Sequence, residues 1–88
     1  MIELSEDFES ILICAERYAC GRRTYMPGIV IGYIIPLISV LSDKALGVIV
    51  SDIDFAAEHG GLGDDEIDAP LWIGLQKRIR GELERRNE

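Results

Sequence analysis

Residues 24–42 of this 88-residue chain read TYMPGIVIGYIIPLISVLS, nineteen residues in a row without a charged side chain. Pro27 fits the first turn of a helix, where no N–H is needed, and the apolar run predicts helix as far as about Leu41. Pro36 has no N–H to donate to the Gly32 carbonyl, so we expect the helix to kink or split there. The β-branched residues would also suit a strand, but the chain has no second alternating segment to pair with it.

A membrane span is one alternative for this segment, because about 20 apolar residues cross a bilayer and Arg22 and Arg23 could form a cytoplasmic flank. Two prolines and two glycines interrupt the apolar stretch, however. The remaining predicted helices also carry apolar stripes that need this segment as a partner. Exposing those stripes would cost several kcal/mol, at roughly 25 cal/mol per Å². We therefore expect a central core helix, with a small membrane (holin-like) protein as an alternative.

Three amphipathic helices are predicted around this segment, because apolar residues recur at i, i+3, i+4 and i+7. Residues expected to cap their N-termini are Ser5, Ser42 and Asp68, the last followed by Pro70. Glycines expected to end the first and third helices are Gly21 and either Gly60 or Gly61. The predicted buried stripes are Phe8, Ile11, Leu12, Ala15, Tyr18 and Ala19; then Leu46, Ile49, Val50, Ile53 and Ala57; then Leu71, Trp72, Leu75, Ile79 and Leu83. Near the C-terminus, Arg78, Glu82 and Arg86 predict a solvated helix face with i, i+4 ion pairs.

These patterns predict an all-α fold, a compact bundle of about four helices in one domain, residues 1–88, with the apolar second helix kinked at Pro36. A chain this short buries only about 60–65% of its unfolded surface, so oligomerisation is a common way to complete the core. Three neighbours can hardly cover the second helix completely, and Gly28 and Gly32 would let another helix approach closely. We therefore expect a homo-oligomer.

The net charge of −7 argues against direct binding of nucleic acid or of an anionic membrane surface, since both attract basic proteins. Cys14 and Cys20 lie six residues apart in one predicted helix, so their side chains point in different directions. This fits a reduced, cytoplasmic protein better than a disulfide scaffold. The acidic N-terminal residues MIELSEDFES do not have the pattern of a signal peptide.

Metal, phosphate-loop and catalytic signatures are absent from the sequence. The acidic residues after GGLG lack the spacing of a calcium loop, and no G-K-[ST] follows those glycines. His59, the one histidine, suits a helix C-terminus and lacks the companions of a metal site or catalytic triad. Neither cysteine has a base at a useful spacing. We predict no enzyme activity, no cofactor and no metal.

The stretch ERYACGRRTYMPG, residues 16–28, concentrates arginine and tyrosine in an acidic chain. A tight turn at Gly21 would bring the arginines to the N-terminus of the second helix, where backbone N–H groups favour an anion. Arginine forks bind phosphate, a threonine hydroxyl donates a further hydrogen bond, and tyrosine rings stack on a planar base. The predicted ligand-binding residues are Arg17, Tyr18, Arg22, Arg23, Thr24 and Tyr25. A purely structural interpretation also stays open, with Tyr18 in the core stripe, Gly21 as a cap and Tyr25 packed against the second helix.

At this motif the chain resembles small bacterial and phage proteins that carry the pattern R-Y-x-x-G-R-x-T-Y, here Arg17, Tyr18, Gly21, Arg22, Thr24 and Tyr25. The resemblance implies a phage counter-defence factor. Such a factor is either an oligomeric sponge for cyclic-nucleotide or ADP-ribose-type immune signals, or an anti-CRISPR-like protein that blocks a host nuclease.

Two hypotheses result. The leading one is a non-enzymatic, cytoplasmic, homo-oligomeric protein of phage or prophage type that holds a small phosphorylated or nucleotide-derived ligand. The alternative is an acidic inhibitor of a host nucleic-acid-binding protein. Its binding residues would be Asp52, Asp54, Glu58, Asp64, Asp65, Glu66 and Asp68.

Overall fold

Four α-helices and one 3-10 turn make up the computed structural model, which describes residues 4–20, 27–63 and 66–88. The helices are α1 (Glu6–Ala19), α2 (Pro27–Ile34), α3 (Asp43–His59) and α4 (Asp68–Arg86), and the 3-10 turn Ile35–Leu37 follows α2. No strand occurs within the described ranges. The predicted all-α bundle is confirmed.

The helices are arranged as a ring around one core. α1 packs on α2 and α3, and α4 packs on the same two helices from the other side. The radius of gyration, 12.4 Å, matches the roughly 12 Å expected for a compact chain of this length. The largest fully buried side chains are Trp72, Ile34, Leu41, Leu46, Ile49, Ile53, Leu75, Ile79 and Glu16. All but the last were expected to be apolar core from the sequence pattern.

The second helix is split at its proline, and α2 does not run on to Leu41 as a continuous helix. It ends at Ile34, and the chain continues through the 3-10 turn that contains Pro36. The chain then closes through Leu41, whose N–H donates to the Leu37 carbonyl at 2.9 Å. The missing proline N–H explains why the α-helical bond pattern stops here.

Arg86 supports this broken segment from the far end of the chain. Its Nη2 donates to the carbonyls of Ile38 and Ser39 at 3.1 and 3.2 Å, and its Nη1 reaches the Asp43 carboxylate at 2.8 Å. The predicted i, i+4 pair with Glu82 is present, at 2.7 Å. Arg86 therefore does not simply face solvent. Its hydrogen bonds join the end of α4 to the connection between α2 and α3.

Serine caps start two of the helices, as predicted. Ser5 Oγ accepts from the Phe8 N–H and Ser42 Oγ accepts from the Ala45 N–H, both at 3.1 Å. The prediction that Asp68 is the N-cap of α4 is wrong by one residue. The N-cap is Ile67, which has no side-chain cap bond, and Asp68 is the first helical residue.

Glycine ends α3 as predicted. Gly60 is its C-cap, and the next residue, Gly61, has a φ of +84°, in the left-handed region that favours glycine. The N–H groups of both glycines donate to the Ala56 carbonyl, at 3.1 and 2.7 Å. The predicted turn at Gly21 lies outside the described residues.

The predicted buried stripe of α1 is confirmed at Leu12 and Ala19 and is wrong at Phe8, Ile11 and Tyr18. The helix buries Leu12, Glu16 and Ala19, whereas Phe8, Ile11 and Tyr18 are exposed. At 100° per residue, the centre of the buried face lies roughly 60° around the helix from the centre of the predicted stripe. Periodicity shows which residues share a face, but packing against α2 and α3 selects which face is buried.

The stripes of α3 and α4 agree better with the sequence pattern. Ala45, Leu46, Ile49 and Ile53 are buried in α3, although Ala57 is exposed. In α4, Trp72, Leu75 and Ile79 are buried and Leu71 is partly exposed. Among the described residues, no helix has both the length and the hydropathy that a membrane crossing needs, as the holin-like alternative would require.

One polar contact between α1 and α3 could not be predicted from the sequence pattern. The Glu9 carboxylate accepts from the Ser42 N–H at 2.7 Å and from the Ser42 hydroxyl at 2.9 Å. The hydroxyl therefore caps α3 and fixes that helix to α1 at the same time.

Ser42→Ala is expected to lower the free energy of unfolding more than Ser5→Ala. Each serine provides a cap worth about 1 kcal/mol. Only Ser42 also donates to a carboxylate, which adds about 1 kcal/mol or more. Urea unfolding of the two variants measures the difference. Equal losses would show that the bond to Glu9 contributes nothing to stability.

Candidate functional site

A cleft of about 380 Å³ lies between the C-terminal end of α1 and the C-terminal half of α3. α1 and the residue after it contribute Arg17 and Cys20 to its wall. The residues that line the cleft from α3 and its end are Asp52, Phe55, Ala56, His59, Gly60 and Gly61. One of the predicted ligand-binding residues, Arg17, therefore belongs to a concave surface.

Arg17 is held in the cleft by Asp52. Its Nε lies 2.8 Å from Asp52 Oδ2, and its side chain remains 59% exposed. Within the part of the chain that the structure describes, no hydrogen bond uses its Nη1 or Nη2. The bond to Asp52 raises the pKa of Arg17, so the guanidinium is charged at any ordinary pH. One carboxylate thus orients the arginine and leaves its outer nitrogens accessible.

Phe55 and His59 form an aromatic pair on the α3 side of the cleft. They lie one helical turn apart, with ring centroids 4.3 Å from each other and planes tilted by 40°. Phe55 is 65% exposed, so its ring is accessible from the cleft. His59 was expected to act at the helix terminus. It does lie in the last turn of α3, and its ring contacts Phe55.

Glu16, next to Arg17 in sequence, is fully buried. Among the residues that the structure describes, neither of its carboxyl oxygens has a hydrogen-bond partner of normal geometry. Burial raises its pKa to about 9, and the neighbouring Asp52 carboxylate raises it as well, against a smaller opposing effect of Arg17. Since no full hydrogen bond joins the two acids, we attribute the effect of Asp52 chiefly to its negative charge. Glu16 is therefore neutral at pH 7, beside the Arg17–Asp52 ion pair.

Cys20 is half-buried in the wall of the cleft. Burial raises the pKa of its thiol to about 12, with further contributions from Glu16 and Asp52. Its thiolate fraction at neutral pH is therefore very small, and the thiol is a weak nucleophile. The other cysteine, Cys14, is exposed on α1.

The structure separates the two described members of the predicted arginine-tyrosine cluster. Arg17 lines the cleft, whereas Tyr18 is exposed on α1 and does not line it. The other predicted site residues lie outside the described residues: Arg22, Arg23, Thr24 and Tyr25.

Three residues of the site were not predicted from the sequence: Asp52 as the partner of Arg17, Phe55 and Glu16. A phenylalanine four residues before the histidine was the one available signal for the aromatic pair.

Two of the described acidic residues of the alternative hypothesis are held by partners within the subunit. Asp52 is paired with Arg17, and Asp54 pairs with Arg80 at 3.2 Å and accepts a hydrogen bond from Gln76. Glu58 is largely exposed. Asp64 and Asp65 lie outside the described residues.

Within the described ranges, no group of three or more histidine, cysteine or acidic side chains is placed to hold a metal ion.

A comparison of the chain with protein-family models, curated proteins and solved structures finds no match. The resemblance of the R-Y-x-x-G-R-x-T-Y motif to phage and bacterial proteins thus stays an expectation.

Glu16→Gln should make stability less dependent on pH. Below about pH 4.5 the carboxyl is neutral in the folded and the unfolded chain, and its stabilising contribution is fully present. From there to about pH 9 the unfolded chain loses the proton while the folded chain keeps it, so stability falls as the pH rises. The slope is about 1.4 kcal/mol per pH unit. Glutamine has no such proton, so the variant should exceed the wild type in stability by a few kcal/mol at pH 8.

Chemical unfolding at pH 5, 6.5 and 8 measures this slope for the wild type and the variant. Glu84→Gln, at an exposed position of α4, is the matched control and should keep the wild-type slope. A Glu16→Gln protein with the same slope as the wild type would show that Glu16 is ionised in the fold.

Proposed function

We propose that this chain is a non-enzymatic protein that binds a small phosphorylated or nucleotide-derived ligand in the cleft between α1 and α3. One observation carries the proposal: Arg17 is anchored to Asp52 through Nε alone, beside the exposed Phe55–His59 pair. A cation and an aromatic surface at one concave site are the two features that a nucleotide needs.

The phosphate would bind to the outer nitrogens of Arg17. These nitrogens lie at the exposed end of a side chain that is already oriented, so little rotamer freedom is lost on binding. Arg22 and Arg23 follow Cys20 in the sequence by two and three positions, and Cys20 lines the cleft. Both arginines therefore remain part of the proposed phosphate site.

The base or another planar group would contact Phe55 and His59. Aromatic rings stack on every base, at about 1–3 kcal/mol per base. A cleft of about 380 Å³ falls within the range of small-molecule sites. Its size suits a compact ligand and not a long nucleic acid, which a net charge of −7 also repels.

The neutral state of Glu16 makes anion binding feasible. If Glu16 and Asp52 were both ionised, two negative charges would lie behind a single guanidinium and would repel a phosphate. With Glu16 protonated, one carboxylate balances the arginine. A ligand phosphate then meets a locally neutral site with accessible donors.

The biological setting is a separate part of the proposal. We propose a cytoplasmic phage or prophage-type counter-defence protein that sequesters a nucleotide-derived immune signal. The motif from Arg17 to Tyr25 supports this setting by resemblance, and the cleft supports only the chemistry of the ligand. The homo-oligomeric state predicted from the uncharged segment does not depend on the cleft.

Isothermal titration calorimetry with cyclic dinucleotides, cyclic ADP-ribose isomers and inorganic pyrophosphate tests the site. Arg17→Lys keeps the positive charge beside Asp52 but loses the planar fork, so we expect affinity to fall about tenfold or more. Arg80→Lys is the matched control, because Arg80 is also exposed and paired with an aspartate of α3. It should bind as the wild type does.

Two further variants divide the site into its parts. Phe55→Ala should weaken binding of nucleotide-derived ligands several-fold and leave pyrophosphate unaffected, since only the base stacks on the ring. The double variant Arg22→Ala/Arg23→Ala should weaken both. Absence of binding by every compound, or equal affinities for Arg17→Lys and Arg80→Lys, would refute the proposal.

A further inference from the structure

One side of α2 is uncharged and faces solvent in the single chain. We call this the α2 face and define it as the exposed residues Gly28, Ile29, Gly32 and Tyr33 of α2, which lie on one side of the helix, together with Pro36 in the 3-10 turn that follows. Ile29 is 52% exposed and Tyr33 is 68% exposed. No charged residue occurs anywhere in residues 24–42.

One apolar side chain of the neighbouring helix α4 extends this surface. A Cβ placed on Gly28 would lie 3.9 Å from Leu71 Cδ1 of α4, so the α2 face continues directly onto that side chain. Both helices that pack on α2 also expose large apolar side chains. These are Phe8, Ile11 and Tyr18 on α1, and Leu71 and Ile73 on α4.

The two glycines are not required by packing within the subunit. No atom lies within 4 Å of a Cβ placed on Gly32, and Gly28 would meet only Leu71 at ordinary contact distance. Glycine is a poorer helix former than alanine. Open space also surrounds Gly47, Gly74 and Gly81 in the other helices, so the glycines alone do not define a contact. Gly28 and Gly32 differ from them because they lie beside the exposed apolar side chains of Ile29 and Tyr33, where small residues allow another helix to approach closely.

Charge identifies the partner that fits this surface. A nucleic acid or an anionic membrane would need cations, and a basic protein would bind the acidic helices instead. A second copy of the chain brings another −7, so two copies can approach closely only where both are uncharged. A two-fold interface uses the same patch on both subunits, and an apolar patch complements itself whereas an acidic patch repels itself.

We infer that two copies of this chain associate through the α2 face, with α2 of one subunit packed across α2 of the other at Gly28 and Gly32. A stable interface buries about 800 Å² per subunit. The chain exposes 5940 Å², so the interface would cover roughly one seventh of its surface. Because an eight-residue helix is only about 12 Å long, the exposed apolar side chains of α1 and α4 must contribute at the edges.

Sedimentation equilibrium of the full chain, from about 1 μM to about 1 mM, tests the inference. The wild type should shift from one chain to two across this range. Gly32→Glu should remain one chain, with a dissociation constant raised at least tenfold, because it adds bulk and a charge at the centre of the contact. The subunit itself has room for this side chain, so circular dichroism should show an unchanged helical fold.

Gly81→Glu is the matched control. Gly81 is also exposed, in the middle of α4, and nothing lies within 4 Å of a Cβ placed there. This variant should associate as the wild type does. A wild type that stays one chain throughout, or a Gly32→Glu protein that associates as Gly81→Glu does, would overturn the inference. Neither result depends on whether the cleft binds a ligand.

Discussion

Glu16 is buried as an uncharged acid behind the Arg17–Asp52 ion pair, and this arrangement determines how α1 packs on α3. Glu16 and Arg17 are consecutive on α1, and one turns into the core while the other reaches α3. An ionised carboxylate at the position of Glu16 would cost several kcal/mol. Its protonation therefore allows α1 to pack on α3, and the same packing places Arg17 at the cleft.

The ends of α3 are fixed by different means, and together they position the cleft. At its N-terminus, Ser42 is bound to Glu9 of α1, and Arg86 of α4 holds the adjacent segment. At its C-terminus, Gly60 and Gly61 end the helix and form one wall of the cleft. The middle of α3 carries Asp52, so the ion pair lies between two anchored ends. The cleft is thus a consequence of how α1 and α3 are joined.

The helices themselves could be predicted from the sequence because their signals are local. The serines that cap α1 and α3, the glycines after His59 and the break at Pro36 act within one or two helical turns. The burial of Glu16 and its relation to Asp52 could not be predicted, since they depend on the rotation of α1 against a helix some 35 positions away. A glutamate on an amphipathic helix is expected to face solvent. Phe55 was missed because periodicity does not show which large apolar residues stay exposed.

The packing of α1 against α3 depends on a proton that Glu16 carries in the folded chain. Carbon-13 NMR of the glutamate side-chain carboxyl carbons, followed from pH 4 to pH 10 and assigned with a Glu16→Gln sample, measures this directly. We expect the Glu16 signal to keep the chemical shift of a protonated carboxyl through pH 7 and to titrate near pH 9. A Glu16 signal that has fully titrated by pH 6 would contradict it.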